Sequence, residues 1–198
     1  MVNSMDLFES AIDSTKRPLA ERLRPEKFEE FFGQESIVLK NPLLQEAIHQ
    51  NKLFSMIFWG PPGCGKSTLA HVISRKIHSN YVKVSAVTSN VKEIKDIVDI
   101  AKNKLKYYQQ KTILFIDEIH RFNKLQQDYL LPFVEDGTIV LIGATTVNPS
   151  FGVNNALLSR VHVVVFERLE EENLEKIVLR ALKIENKATD RSKRKNCV

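Results

Sequence analysis

Gly60-Pro61-Pro62-Gly63-Cys64-Gly65-Lys66-Ser67 has the residue types and spacing needed to hold a triphosphate. It fits G-x-x-x-x-G-K-[ST]. Gly63 and Gly65 let the main chain take positive φ and come close to an anion. The freed N–H groups then make a concave nest at a helix N-terminus, where the helix dipole favours negative charge. Lys66 offers a point charge to the β- and γ-phosphates, and the Ser67 hydroxyl a ligand for Mg²⁺. Thr68 carries the chain into the helix behind the loop. The loop implies a nucleoside triphosphate and leaves open what its energy is used for.

Three further groups could act on that triphosphate. Asp117-Glu118 ends the apolar run Thr112-Ile113-Leu114-Phe115-Ile116. Ligands of open α/β sheets gather at the carboxyl ends of such strands. Asp117 is placed to hold Mg²⁺, directly or through water, and Glu118 to orient and deprotonate an attacking water. Gly143-Ala144-Thr145-Thr146 ends a second apolar run, and Thr146 could hydrogen-bond that water or the γ-phosphate. A threonine capping its own loop would look the same. Arg160 is either a solvated arginine or a planar cation for a neighbour's γ-phosphate. His120 is either a plain start to the next helix or a group coupling nucleotide state to a partner.

The elements that must position these groups are legible from periodicity. Strands are expected at 56–59, 81–84, 112–116, 138–144 and 161–166, most of them apolar on both faces. Helices are expected at 42–50, from Thr68 to about Ser79, at 91–109, at 125–134 (bent or shortened by Pro132) and at 169–184. In the 91–109 helix, Ile94, Ile97, Val98, Ala101, Leu105 and Tyr108 recur at three and four, which places Tyr108 on the buried face. The lysines Lys92, Lys95, Lys102, Lys104 and Lys106 read as its solvated face. Strands alternating with helices give an α/β fold. The fold class is a P-loop NTPase three-layer sandwich with a mostly parallel five-stranded sheet.

The chain has 198 residues, 43% of them hydrophobic and 27% charged, with a net charge of +5. That suits one globular domain with extensions. Residues 183–198 hold six Lys or Arg against two carboxylates, so this tail supplies +4 of the +5. The tail reads as a solvated terminus before a DNA-contacting arm. No window approaches the ~18 apolar residues of a membrane span, and no secretory signal opens the chain. Cys64 and Cys197 have neither metal nor disulfide spacing.

The phosphate loop, Ile116-Asp117-Glu118, the Thr145-Thr146 strand end and Ser159-Arg160, in that order, resemble the AAA+ ATPases. A narrower similarity lies in residues 18–25, Ser85-Ala86-Val87-Thr88-Ser89, residues 117–128 and residues 142–151. It is to the replication-associated recombination protein A family, whose eukaryotic members are the Werner-helicase-interacting ATPases. The resemblance implies that Gly60 to Ser67 is the Walker A loop and that Asp117 and Glu118 are the Walker B pair. Thr146 would be the sensor-1 residue and Arg160 an arginine finger acting on the adjacent subunit. Arg24-Pro25 and Gly33-Gln34 would lie near the adenine.

It further implies an ATP-hydrolysing homo-oligomer that uses Mg²⁺ and acts on DNA at gaps, ends and stalled forks. Replication proteins such as single-strand-binding protein would be partners, in a bacterial cytoplasm or a nucleus. Cys64 replaces the family's usual threonine, at a position that is not a required ligand. The expected domains are a loose N-terminus at 1–16, the ATPase core at 17–168, the first helix of an incomplete lid at 169–185, and a disordered basic tail at 186–198. On this reading the chain stops short of the lid, its sensor-2 arginine and an oligomerisation domain. Two other readings share the site: a clamp-loader or Holliday-junction-motor subunit, and a nucleotide- or partner-binding module without efficient turnover.

Overall fold

The computed structural model describes residues 19–38 and 41–195, with residues 35, 36 and 187–195 as backbone only. The segment expected to be loose, 1–16, lies outside the described residues, as do 196–198. The described residues divide into two compact units: one within residues 26–169, and one made of residues 19–25 with 170–195.

The larger unit is built on one sheet. Its strands are β1 (Met56–Trp59), β2 (Asn80–Ser85), β3 (Thr112–Asp117), β4 (Ile139–Thr145) and β5 (His162–Val165). They lie in the order β2-β3-β4-β1-β5, and every pair is parallel. The longer helices of this unit are α1 (Pro42–His49), α2 (Lys66–Lys76), α3 (Val91–Tyr108) and α4 (Lys124–Glu135).

Strand periodicity sorts the core into two layers. Met56, Phe58, Ile113, Phe115, Val140 and Ile142 pack with Leu44 of α1 and Leu69 and Ile73 of α2. Ile57, Leu114, Ile116, Ile139 and Leu141 pack on the other face with Ile94 and Val98 of α3 and Leu130 of α4. Each such side chain stabilises the fold by roughly 1.5–3 kcal/mol on burial, which is why the central strands read as continuous apolar runs. The chain therefore leaves β1 on one face of the sheet and β3 on the other. A crevice opens between these departures at the carboxyl edge, the ligand position of open α/β sheets.

Three expectations change. Pro132 does not shorten α4, which runs on to Glu135. Pro132 lies in the last turn, and the helix continues three residues past it. Tyr108 is not on the buried face: it is 77% exposed. Here α3 overruns the sheet, so the helical spacing persists after the packing partner has ended.

The third change is in the smaller unit. Its long helix, α5 (Glu171–Lys195), continues through residues 186–195, where a disordered tail was expected. No Gly or Pro interrupts it, and Lys, Arg, Glu and Ala are good helix formers. Within this unit Arg22 pairs with Glu185 at 2.6 Å, and Arg180 donates to the Leu23 carbonyl at 2.5 Å.

Candidate functional site

The loop after β1 owes its shape to its glycines. A Cβ on Gly60 would lie 2.5 Å from the carbonyl oxygen of Phe166 and 2.7 Å from its Cβ. That contact is to backbone and cannot give way. Gly60 can then donate its N–H to the Thr145 carbonyl at 3.2 Å, which ties the loop to the end of β4. Gly63 (φ +75°) and Gly65 (φ +99°) take the left-handed conformations that L side chains rarely adopt. Gly65 caps α2, and its carbonyl accepts from Leu69 N at 2.8 Å. Gly60→Ala is expected to cost about 1–3 kcal/mol of stability, read as a lowered urea midpoint at unchanged m-value. An unchanged midpoint would show that Phe166 is free to move aside.

Lys66 is folded back into its own loop. Its Nζ donates to Gly60 O at 2.8 Å and Pro61 O at 2.7 Å, and lies 3.7 Å from Cys64 Sγ. The ammonium thus satisfies loop carbonyls that a phosphate-bound lysine would release. Cys64 is buried. Gln34 braces the loop from behind, with Nε2 2.7 Å from Glu167 O and 3.4 Å from Cys64 O. Its Oε1 accepts from Glu167 N at 3.2 Å. Its φ of +62° and that of Gly33 (+78°) form the turn that delivers this amide.

The carboxylates stand at the end of β3. Asp117 Oδ2 is 3.8 Å from Lys83 Nζ on the adjacent strand. Glu118 takes a left-handed conformation (φ +56°), which turns the chain out of the strand at once. Its Oε2 lies 3.2 Å from His120 Nδ1. The same nitrogen is 2.9 Å from Thr145 Oγ1. The Thr145 hydroxyl donates to Val147 O and accepts from Val147 N, both at 3.1 Å. With that proton committed, His120 Nδ1 is the donor to Thr145 Oγ1, while the nearby Glu118 Oε2 is buried and accepts no hydrogen bond among the described residues. His120 lies in the short 3₁₀ turn Ile119–Arg121 that leads toward α4. It faces back onto the Glu118 carboxylate.

An open cleft of about 300 Å³ is lined by Pro62, Gly63, Gly65, Lys66, Ser67, Thr68, Asp117, Glu118 and Thr146. Three segments far apart in sequence meet there: the loop, the carboxylate pair and the strand-end threonine. Thr145, its neighbour, is fully buried and belongs to the bracing beneath. Sequence spacing singled out Thr146 and missed the work of Thr145 and His120, since neither shows in any pattern along one strand.

Arg160 does not line the cleft. It follows the short helix Asn155–Leu158 and is half-exposed. Its Nε donates to Glu135 Oε1 at 2.7 Å, and its Nη1 to Ala156 O at 3.3 Å and to Ser159 Oγ. Buried Gln127 links that helix to the segment after Glu118. Its Nε2 donates to Phe122 O and Gly152 O at 3.0 Å, and its Oε1 accepts from Asn154 N at 2.8 Å. Asn154 in turn caps the Asn155–Leu158 helix by accepting from Leu157 N at 2.7 Å. Arg24 and Pro25 fall in the smaller unit. Among the described residues no helix is long and apolar enough to cross a membrane.

Residues 23–160 match the family described as the Holliday junction DNA helicase RuvB P-loop domain. A replication-associated recombination protein A from Haemophilus influenzae is 49% identical over 83% of this chain, which spans 37% of that relative. ATPase WRNIP1 of Dictyostelium discoideum is 51% identical over 88% of this chain and 20% of its own length. The chain thus spans well under half the length of these relatives. Among solved structures, the Thermotoga maritima RuvB Holliday junction branch migration motor is 31% identical, with a TM-score of 0.70. The match covers 83% of this chain and 55% of that one.

Proposed function

The chain belongs to the RuvB P-loop domain family, and on that premise we propose that it is the ATP-binding and ATP-hydrolysing core of an AAA+ protein serving DNA replication and recombination. One observation carries the reading: a single cleft gathers the phosphate-loop amides, Lys66, Ser67, Asp117, Glu118 and Thr146. The 48–53% identity to replication-associated recombination proteins of several bacteria directs it to the replication fork.

The triphosphate would lie over Gly63 to Ser67, with Lys66 exchanging its two carbonyl partners for phosphate oxygens. The Ser67 hydroxyl and the Asp117 carboxylate are the hard oxygen donors that Mg²⁺ takes alongside phosphate, and both line the cleft. When bound, that ion neutralises charge on the phosphate oxygens. Glu118, its carboxylate 3.2 Å from His120 Nδ1, would accept the proton of the attacking water. Thr146 would hydrogen-bond the water or the γ-phosphate. Arg24 and Pro25 are assigned to the adenine by family likeness.

Arg160 would complete the site of an adjacent copy, so the active form is an oligomer. DNA gaps, ends and forks are the proposed substrates, single-strand-binding protein a proposed partner, and the bacterial cytoplasm or a nucleus the proposed compartment. Lys66→Ala and Arg160→Ala should each abolish phosphate release, Arg160→Ala by about 10³-fold or more. Mixing the two should restore part of it, because one mixed interface joins an intact loop to an intact arginine. No recovery on mixing, with each variant folded, would refute action between subunits. Similarity to the branch migration motor keeps a second reading: ATP-driven movement of a synthetic four-way junction would favour it over fork maintenance.

A further inference from the structure

The edge of the sheet opposite the ATP cleft has an unusual composition. Helices α1, α2 and α3 all run back against the strands that precede or follow them, so their C-termini meet at the amino edge. The segments involved are residues 49–55, 75–81 and 102–112. Together they hold Lys52, Arg75, Lys76, Lys102, Lys104, Lys106 and Lys111, and no Asp or Glu. Hydrogen bonds stitch the three segments into one surface. Gln110 Nε2 donates to His78 O at 3.2 Å, Lys104 Nζ to Asn80 Oδ1 at 2.7 Å, Asn80 N to Lys111 O at 2.9 Å and Lys111 Nζ to Asn51 O at 3.5 Å.

Two aromatic rings stand beside these cations. Tyr107 is 68% exposed and Tyr108 77% exposed. Lys106 Nζ lies 5.4 Å from the Tyr107 ring centroid. Folding has no use for two neighbouring solvent-facing tyrosines. The nearby acidic groups are already engaged. Arg75 meets Glu26 at 3.7 Å and Lys102 meets Asp99 at 3.9 Å. Glu135 holds Arg160, and Asp136 accepts from Thr138 N. Three helix C-termini contribute about half a negative charge each, far less than the cations around them.

We propose that this amino edge is a binding surface for a single-stranded polynucleotide, whose phosphates meet Lys52, Lys76, Lys106 and Lys111 while bases stack on Tyr107 and Tyr108. A basic track with aromatic faces is the general chemistry of single-strand binding. The surface faces away from the ATP cleft, so both sites could be filled at once. The proposal rests on the DNA reading above and gives it a location that no motif supplied. Deoxyribose and ribose strands share this chemistry.

The test is fluorescence anisotropy of the full chain with labelled oligothymidylate and oligouridylate, each about twenty nucleotides long to exceed one site size. Tyr107→Ala/Tyr108→Ala should raise Kd about tenfold or more. Lys52→Glu/Lys106→Glu should weaken binding and flatten its salt dependence by about 1.4 in the log–log slope. Lys92→Glu, at the other end of α3, should change neither. Affinity for a fluorescent ATP analogue, unchanged in every variant, establishes that each is folded. Equal affinity of wild type and the amino-edge variants would overturn this surface and leave the DNA reading standing. Wild type that binds neither oligonucleotide would overturn both. Equal binding of the two oligonucleotides makes the site indifferent to the sugar, and preference for one names the strand it reads.

Discussion

Glu118→Gln should retain ATP binding and lose turnover by about 10²- to 10⁴-fold, the usual worth of a positioned general base. The substitution is nearly isosteric, so the side chain can keep its place, 3.2 Å from His120 Nδ1 in the native protein. Geometry is therefore kept while basicity is removed. The surrounding braces make the result interpretable, because His120 is itself fixed by fully buried Thr145. Single-turnover phosphate release separates the chemical step from product dissociation. A loss of twofold or less would mean that water is activated elsewhere, and Glu118 would then be only an electrostatic neighbour of the phosphates.

Gln127→Leu should be the most damaging substitution outside the cleft. Gln127 is 3% exposed, and its amide satisfies three main-chain groups: Phe122 O, Gly152 O and Asn154 N. Leucine fills similar space and pairs with none of them. Each buried group left unpaired costs about 1–3 kcal/mol, so a loss of about 3 kcal/mol or more is expected in urea denaturation. Gln127→Glu should be no milder, since a carboxylate buried against the Phe122 and Gly152 carbonyl oxygens has no proton to donate to them. The consequence should extend to chemistry. Asn154 caps the helix that leads to Arg160, so turnover in the proposed oligomer should fall further than ATP affinity does. A loss below about 1 kcal/mol would show that water replaces the amide without difficulty.

The parts of this site that were legible in advance share one property: each is written within a few consecutive residues. The phosphate loop needs glycine at Gly63 and Gly65 because of local φ, and its motif carries a cation at Lys66. Asp117 and Glu118 were legible because a two-sided apolar strand must end at the ligand edge. Thr146 followed from the same rule applied to β4. Arg160 was harder, since nothing in its own segment separates a finger from a solvated arginine. Its hold on Glu135 still does not choose between them; the mixing experiment does.

What escaped the linear reading arises where distant segments touch. His120 was ambiguous until the fold set it between Glu118 and Thr145. Nothing in the helical pattern singles out Gln127, whose amide joins three backbone segments. Gly60 reads as the first glycine of a motif, yet its necessity comes from the Phe166 backbone, more than a hundred residues away. Tyr108 was assigned to the core because periodicity counts residues and does not know where the sheet beneath a helix stops. The α3 lysines looked like one solvated face. Packing then carried residues 49–55 and 75–81 to the same edge, and a helix face became part of a basic surface.

Strand and helix types, the parallel sheet and the chemistry of the phosphate loop follow from local sterics and burial, which each short segment expresses on its own. The setting of Glu118 beside His120, the amide bridge toward Arg160 and the basic amino edge depend on contacts between segments. Their free energies exist only when chain closure has brought those segments together, so no single stretch of residues encodes them.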